Sequence, residues 1–93
     1  MRRPAMVVSG GAVGSNDVPL FWALMITNAR RAPWPGDVAV PDHLAAGLNI
    51  PCKVRTAKIS TLEARSAELV GRLPNATIAD VMARVSATVG ATA

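Results

Sequence analysis

Leu20-Phe21-Trp22-Ala23-Leu24-Met25-Ile26-Thr27 (residues 20–27) is the stretch on which the fold turns. From Leu20 to Ile26 it is the longest unbroken apolar run in the chain. The lack of polar alternation fits a strand covered on both sides, with a short buried helix as the competing reading. The run falls far short of the roughly 20 residues a membrane-spanning helix needs, so no transmembrane segment and no membrane partner are expected. Upstream, Pro4 to Val8 contains two adjacent valines and runs into Ser9-Gly10-Gly11. That reads as a short buried strand closed by a flexible turn, with residues 9–19 as loop. The same break stops the opening residues from forming the apolar core of a signal peptide, so the chain reads as mature protein.

Downstream, Pro33-Trp34-Pro35-Gly36 sets proline on both sides of a tryptophan, which forbids regular ladder pairing and makes residues 28–36 a rigid surface loop. Residues 37–40 read as a brief strand stopped by Pro41, and residues 42–50 as a loop with Gly47 and Asn49. Residues 51–61 alternate imperfectly, with Cys52, Val54, Ala57 and Ile59 between Lys53, Arg55 and Lys58, and predict a strand with a bend or bulge near Thr56. Residues 68–73 are expected to add one more short strand. The last segment is the clearest helix: Ile78, Val81, Met82, Val85 and Val89 share a face, and Asp80 precedes Arg84 by one turn. Asn75 or Thr77 is its expected cap and Gly90 its expected stop. Short strands followed by one amphipathic helix predict a mainly β, α+β fold: a small, partly open barrel with the helix packed on it.

The chain has 93 residues, 51% of them hydrophobic and 17% charged, which is one small domain with no room for a second core. A chain this short buries a modest share of its surface, which leaves room for an oligomer. The formal charge is +4, and the surplus lies entirely in residues 1–58, where seven bases face three acids. A basic surface of this kind favours phosphate-bearing partners. Cys52 is the only cysteine, so no intramolecular disulfide forms; a buried thiol in a reducing cytoplasm is the expectation.

One His and one Cys are too few for a metal site, so neither metal nor cofactor is expected. His43 beside Asp42 reads as a solvated loop histidine rather than a catalytic one. Gly10-Gly11 and Gly14 lack the lysine and helix of a phosphate-cradling loop. What remains is arginine and hydroxyl chemistry. If the first two strands pair antiparallel, Arg3 at the entrance of one lies beside Thr27 at the exit of the other. A guanidinium and a hydroxyl so placed hold a phosphate and stabilise charge developing on it. The plainer alternative is that Arg2 and Arg3 are solvated and Thr27 is an ordinary strand residue. Trp34, between two prolines, reads as a packing anchor rather than a platform for a base.

Taken in order, Arg-Arg-Pro-Ala-Met-Val-Val-Ser (2–9), Ala-Leu-Met-Ile-Thr-Asn-Ala (23–29), Pro-Trp-Pro-Gly-Asp-Val (33–38), Val-Arg-Thr-Ala-Lys-Ile-Ser-Thr-Leu (54–62) and Val-Gly-Arg-Leu-Pro (70–74) resemble the MazF/PemK toxins of type II toxin–antitoxin systems. The resemblance covers nearly the whole chain and implies an SH3-like barrel of the MazF/CcdB type. It also implies a metal-independent, sequence-specific endoribonuclease that cuts single-stranded messenger RNA through 2′-hydroxyl attack, acts as a homodimer in the cytoplasm, and is neutralised by a cognate antitoxin protein. The family's catalytic arginine falls on Arg3 and its catalytic threonine on Thr27. Asn28, Arg30, Arg31 and Arg55 are candidates for RNA contacts. The family's first strand precedes the Arg-Pro motif, and here Met1 stands directly before Arg2, so that strand is expected to be missing. Two alternatives remain at this point: a shortened relative that binds antitoxin or nucleic acid without cutting, and a gyrase inhibitor on the same barrel. Against the latter, such inhibitors use a tryptophan near the C-terminus, and both tryptophans here lie before residue 35.

Overall fold

The computed structural model describes residues 3–8, 20–63 and 67–89. Arg2, the loop expected over residues 9–19 and the Gly90 stop lie outside them. Four strands, β1 (Ala5–Val7), β2 (Leu20–Asn28), β3 (Asp37–Ala39) and β4 (Cys52–Glu63), precede one helix, α1 (Asn75–Val89). They form one antiparallel sheet in the order β1-β2-β4-β3. The two long strands are central, the two short ones are edges, and the sheet stays open. The apolar run is thus a strand and not a helix. Among the described residues no helix is long and apolar enough to cross a membrane.

Side chains alternate along a strand and directly paired residues share a face. Met6, Leu24, Ile26, Val38, Cys52 and Val54 therefore meet on one side of the sheet, and all are buried. Helix α1 covers that side with Val81, which is wholly buried, flanked by Ile78 and Val85. Met82, on the rim of the helix's apolar face, stays 37% exposed. Val40, Ala46 and Leu48 complete the core from the loop after β3. That loop contains one helical turn. The Asp42 carboxylate accepts the Ala45 N–H (3.2 Å), and Gly47, at φ +84°, ends the turn with the paired Gly47-to-Leu44 and Leu48-to-His43 bonds of a Schellman stop.

Only part of β2 is covered on both sides. Ala23 and Leu24 are buried on opposite faces, while Trp22 is exposed and Met25 and Thr27 are half-buried. The expected strand over residues 68–73 does not form. A Cβ on Gly71 would fall 2.1 Å from the Ala46 carbonyl oxygen and one on Gly47 would fall 2.0 Å from that of Val70, so close glycine packing replaces ladder pairing. Leu69 and Val70 are exposed there. The cap is also displaced. The Ile78 N–H donates to the Pro74 carbonyl (3.0 Å), which makes Pro74 the capping position, puts Asn75 inside the helix and buries Thr77 in its first turn.

The irregularity near Thr56 is present and larger than a single-residue bulge. Leu24 pairs with Ile59 and Ile26 with Val54, so two steps of β2 are matched by five of β4. Three extra residues, an odd number, flip the alternation of β4 beyond Thr56. The strand then continues to Glu63, two residues past the expected end.

Leu24 is wholly buried at the centre of the core. Leu24→Ala is expected to destabilise the chain by about 2–5 kcal/mol, whereas Val7→Ala on the half-exposed edge changes stability by about 0.5 kcal/mol or less. Denaturant unfolding of the two variants measures both.

Candidate functional site

The alternation that buries one face directs Arg3, Met25, Thr27, Lys53 and Arg55 to the other. β1 and β2 pair Ala5 with Met25, and the Ile26 N–H bond to the Pro4 carbonyl (3.2 Å) carries the ladder one residue further. Continued one step further, the same register leads toward Arg3 and Thr27, and both line one cleft at this end of the sheet. On its other side Thr27 is paired with Lys53 of β4. Lys58 joins this face because the bulge has flipped the alternation, and it lines the same cleft as Met25. The result is an open cleft of about 480 Å³ lined by Arg3, Met25, Thr27, Arg31, Ala32, Trp34, Arg55 and Lys58. Four of these eight side chains are cationic and none is acidic, so the cleft attracts phosphate groups.

One wall is the 29–36 loop, held by two cations that β4 sends beneath it. Lys53 donates from Nζ to the Arg31 carbonyl (2.5 Å) and pairs with Asp37 Oδ2 (3.3 Å), both carboxylate and ammonium being about 10% exposed. Arg55, only 5% exposed, donates from Nη2 to the Ala32 carbonyl (2.9 Å), and its guanidinium lies 4.2 Å from the centroid of the Trp34 ring. The Trp34–Asp37 turn is fixed at both ends. The Asp37 N–H donates to the Trp34 carbonyl (3.2 Å), and the Trp34 N–H donates to Asp37 Oδ2 (3.0 Å). Pro35 followed by Gly36 at φ +86° is the signature of a type II turn. A Cβ at Gly36 would fall 2.4 Å from Thr56 Oγ1, which itself donates to the Gly36 carbonyl (2.7 Å). The arrangement leaves Asp37 Oδ1 buried and without a hydrogen-bond partner among the described residues.

Of the residues singled out from the sequence, Arg3, Thr27, Arg31 and Arg55 come together in this cleft. Asn28 and Arg30 do not: with Ile50 and Pro51 they line a separate, smaller cleft of about 270 Å³. Alternation turns Asn28 away from Thr27, and its Oδ1 accepts the Arg30 N–H (2.9 Å) in a local turn. Lys58 and Trp34 are the cleft residues the sequence pattern conceals. Reading alternation straight through β4 puts Lys58 on the core side. Trp34, expected as a packing anchor, is instead 44% exposed along the cleft wall.

Cys52 is buried as expected, and its thiol donates to the Ile50 carbonyl (3.1 Å). Burial pushes its pKa up. Among the described residues no three His, Cys, Asp or Glu side chains come together as a metal site requires.

The chain is thus an open antiparallel sheet with a helix on one face and a cationic, hydroxyl-bearing cleft on the other. The family model of the PemK-like, MazF-like toxins of type II toxin–antitoxin systems matches residues 1–89. The chain belongs to this family, whose toxins are generally endoribonucleases. Two solved structures of MazE-MazF from Deinococcus radiodurans are similar to it, each at 26% identity and a TM-score of 0.70. Both matches cover 96% of this chain, and they span 82% of one neighbour (Form-II) and 86% of the other (Form-III). No curated protein matches the sequence.

Removing Lys53 strands a buried carboxylate. Lys53→Met is expected to cost about 3–5 kcal/mol, and the double variant Lys53→Met/Asp37→Leu to recover most of it, as read by chemical denaturation. For Cys52, burial raises the pKa, so the thiolate is scarcer in the folded chain than in the unfolded one at the same pH. A disulfide reagent at pH 8 is expected to react slowly with the folded protein and rapidly once denaturant is added.

Proposed function

We propose that this chain is a metal-independent, sequence-specific endoribonuclease toxin that cleaves single-stranded RNA by attack of a ribose 2′-hydroxyl on the adjacent phosphate. What supports the proposal is the cleft that Arg3 and Thr27 line together with Arg31 and Lys58. As the 2′-oxygen bonds to phosphorus and the 5′-oxygen departs, negative charge builds on the non-bridging oxygens. The Arg3 guanidinium and the Thr27 hydroxyl donate to those oxygens and stabilise the charge where it develops. The departing 5′-oxygen takes up a proton from solvent water, and the products are a 2′,3′-cyclic phosphate and a free 5′-hydroxyl. The 2′-proton must leave to a base, and guanidinium groups are not that base, because they stay protonated throughout the physiological range.

Arg31 and Lys58 hold the strand on either side of the reacting phosphate. Arg55 acts from beneath, through the loop it fixes. Asn28 and Arg30, in the neighbouring cleft, contact the strand further along. The partners in this reading are single-stranded RNA, a second copy of the chain in a homodimer, and a small cognate antitoxin. The MazE-MazF complexes among the structural neighbours support the last of these. The setting is the cytoplasm, where the target RNA and a reduced Cys52 coexist.

Incubation of the chain with long single-stranded RNA in excess EDTA is expected to give cuts at a recurring short sequence, with cyclic phosphate ends. Arg3→Ala and Thr27→Val each lower the rate by about 100- to 1,000-fold while the fold is kept. Cleavage at the unaltered rate by both variants would overturn the site assignment. No cleavage by the folded wild-type chain would leave a binding-only relative as the better reading.

A further inference from the structure

We infer that Trp34 is a stacking platform for an unpaired base of the RNA strand, and that Arg55 is a positioning residue that holds the indole for this task. The inference rests on the reading of the cleft as a single-stranded RNA site. Trp34 is 44% exposed and lines the same cleft as Arg3 and Thr27, so part of its ring is open to a ligand there. Its backbone is held from several sides. Proline stands on both sides, a positive-φ glycine closes the turn, and the Asp37 carboxylate and N–H tie its N–H and carbonyl. Asp37 is in turn held by Lys53. On the ring itself, the Arg55 guanidinium sits 4.2 Å from the centroid and is anchored on the Ala32 carbonyl. Two buried cations and a largely covered carboxylate, one of whose oxygens has no partner among the described residues, thus surround the base of one aromatic side chain that remains partly open to solvent.

Such an arrangement suits a base. Aromatic side chains beside a cationic groove bind single strands by stacking, which works for every base because each has a π face. A guanidinium against an indole adds a favourable cation–π contact and keeps the ring from collapsing onto the sheet. The phosphate at Arg3 and Thr27 and a base at Trp34 then fix two points of one nucleotide strand, and two points orient the 2′-hydroxyl where one would not.

The test uses the full chain carrying Trp22→Phe, so that Trp34 is the only indole, and a short mixed-sequence oligodeoxynucleotide, which lacks the 2′-hydroxyl and is not cut. An abasic oligomer of the same length carries the same charge without bases. The base-bearing oligomer is expected to quench the Trp34 fluorescence, and the abasic one to bind roughly 5- to 150-fold more weakly without quenching. Trp34→Leu, followed through a labelled oligomer, is expected to lose affinity by a similar factor, and Trp34→Phe to retain most of it. Trp34→Leu leaves the salt dependence of binding unchanged, whereas Arg31→Ala lowers it by about one counterion. Equal binding and equal quenching by the two oligomers would overturn the stacking role while leaving the RNA reading intact, as would full affinity in Trp34→Leu. Failure of both oligomers to bind the wild-type chain would overturn the stacking role and the RNA reading together.

Discussion

A single helix can cover only one side of a sheet, and in this chain that limit organises everything else. Helix α1 seals the face bearing Leu24, Ile26, Val38 and Val54, so the opposite face of the same strands is left to water and to the 29–36 loop. Alternation fills it with Arg3, Thr27, Lys53 and Arg55. The core and the cleft are two sides of one constraint. A one-residue slip of β2 against β4 would expose Ile26 and bury Thr27, so the packing that stabilises the fold also fixes the register of the site.

β4 does two different jobs on that face, separated by the irregularity around Thr56. Before it, Lys53 and Arg55 are buried and turned to structural use, holding the loop that carries Arg31 and Trp34. After it, Lys58 is exposed and joins the cleft. Charge alone does not distinguish these three cations; burial and hydrogen bonding do. A long side chain with its head group on a carbonyl and a carboxylate is committed to one place. The exposed Arg3, Arg31 and Lys58 keep their charge available to a ligand.

Much of this architecture was legible in the sequence. The apolar run at 20–27, the helical spacing from Ile78 to Val85 and the disturbed alternation near Thr56 each led to the element that forms. The meeting of Arg3 with Thr27 followed from pairing the first two strands antiparallel. What stayed hidden depended on non-local geometry. Lys58 reaches the cleft only because three extra residues invert the alternation, and no local pattern counts them. Trp34 is 44% exposed with the Arg55 guanidinium of β4 against its ring, a contact between residues 21 apart that no local pattern announces. Residues 68–73 carry strand-like side chains, but Leu69 and Val70 lie exposed and the segment is fastened by glycine contacts with the Ala46–Gly47 turn. Asn75 has the chemistry of a cap, yet the boundary falls at Pro74 because the helix enters one residue earlier and buries Thr77 against the sheet.

The central claim is that one face of the sheet, completed by the inverted end of β4, is where a nucleic acid strand lies. Titration of the isotope-labelled chain with an uncleavable single-stranded oligonucleotide, followed by NMR shifts residue by residue, addresses it most directly. The account predicts shifts concentrated at Thr27, Arg31, Trp34 and Lys58, with Val81 and the rest of α1 unmoved. Shifts centred on α1, or a response at Arg31 and Trp34 without one at Lys58, would contradict it.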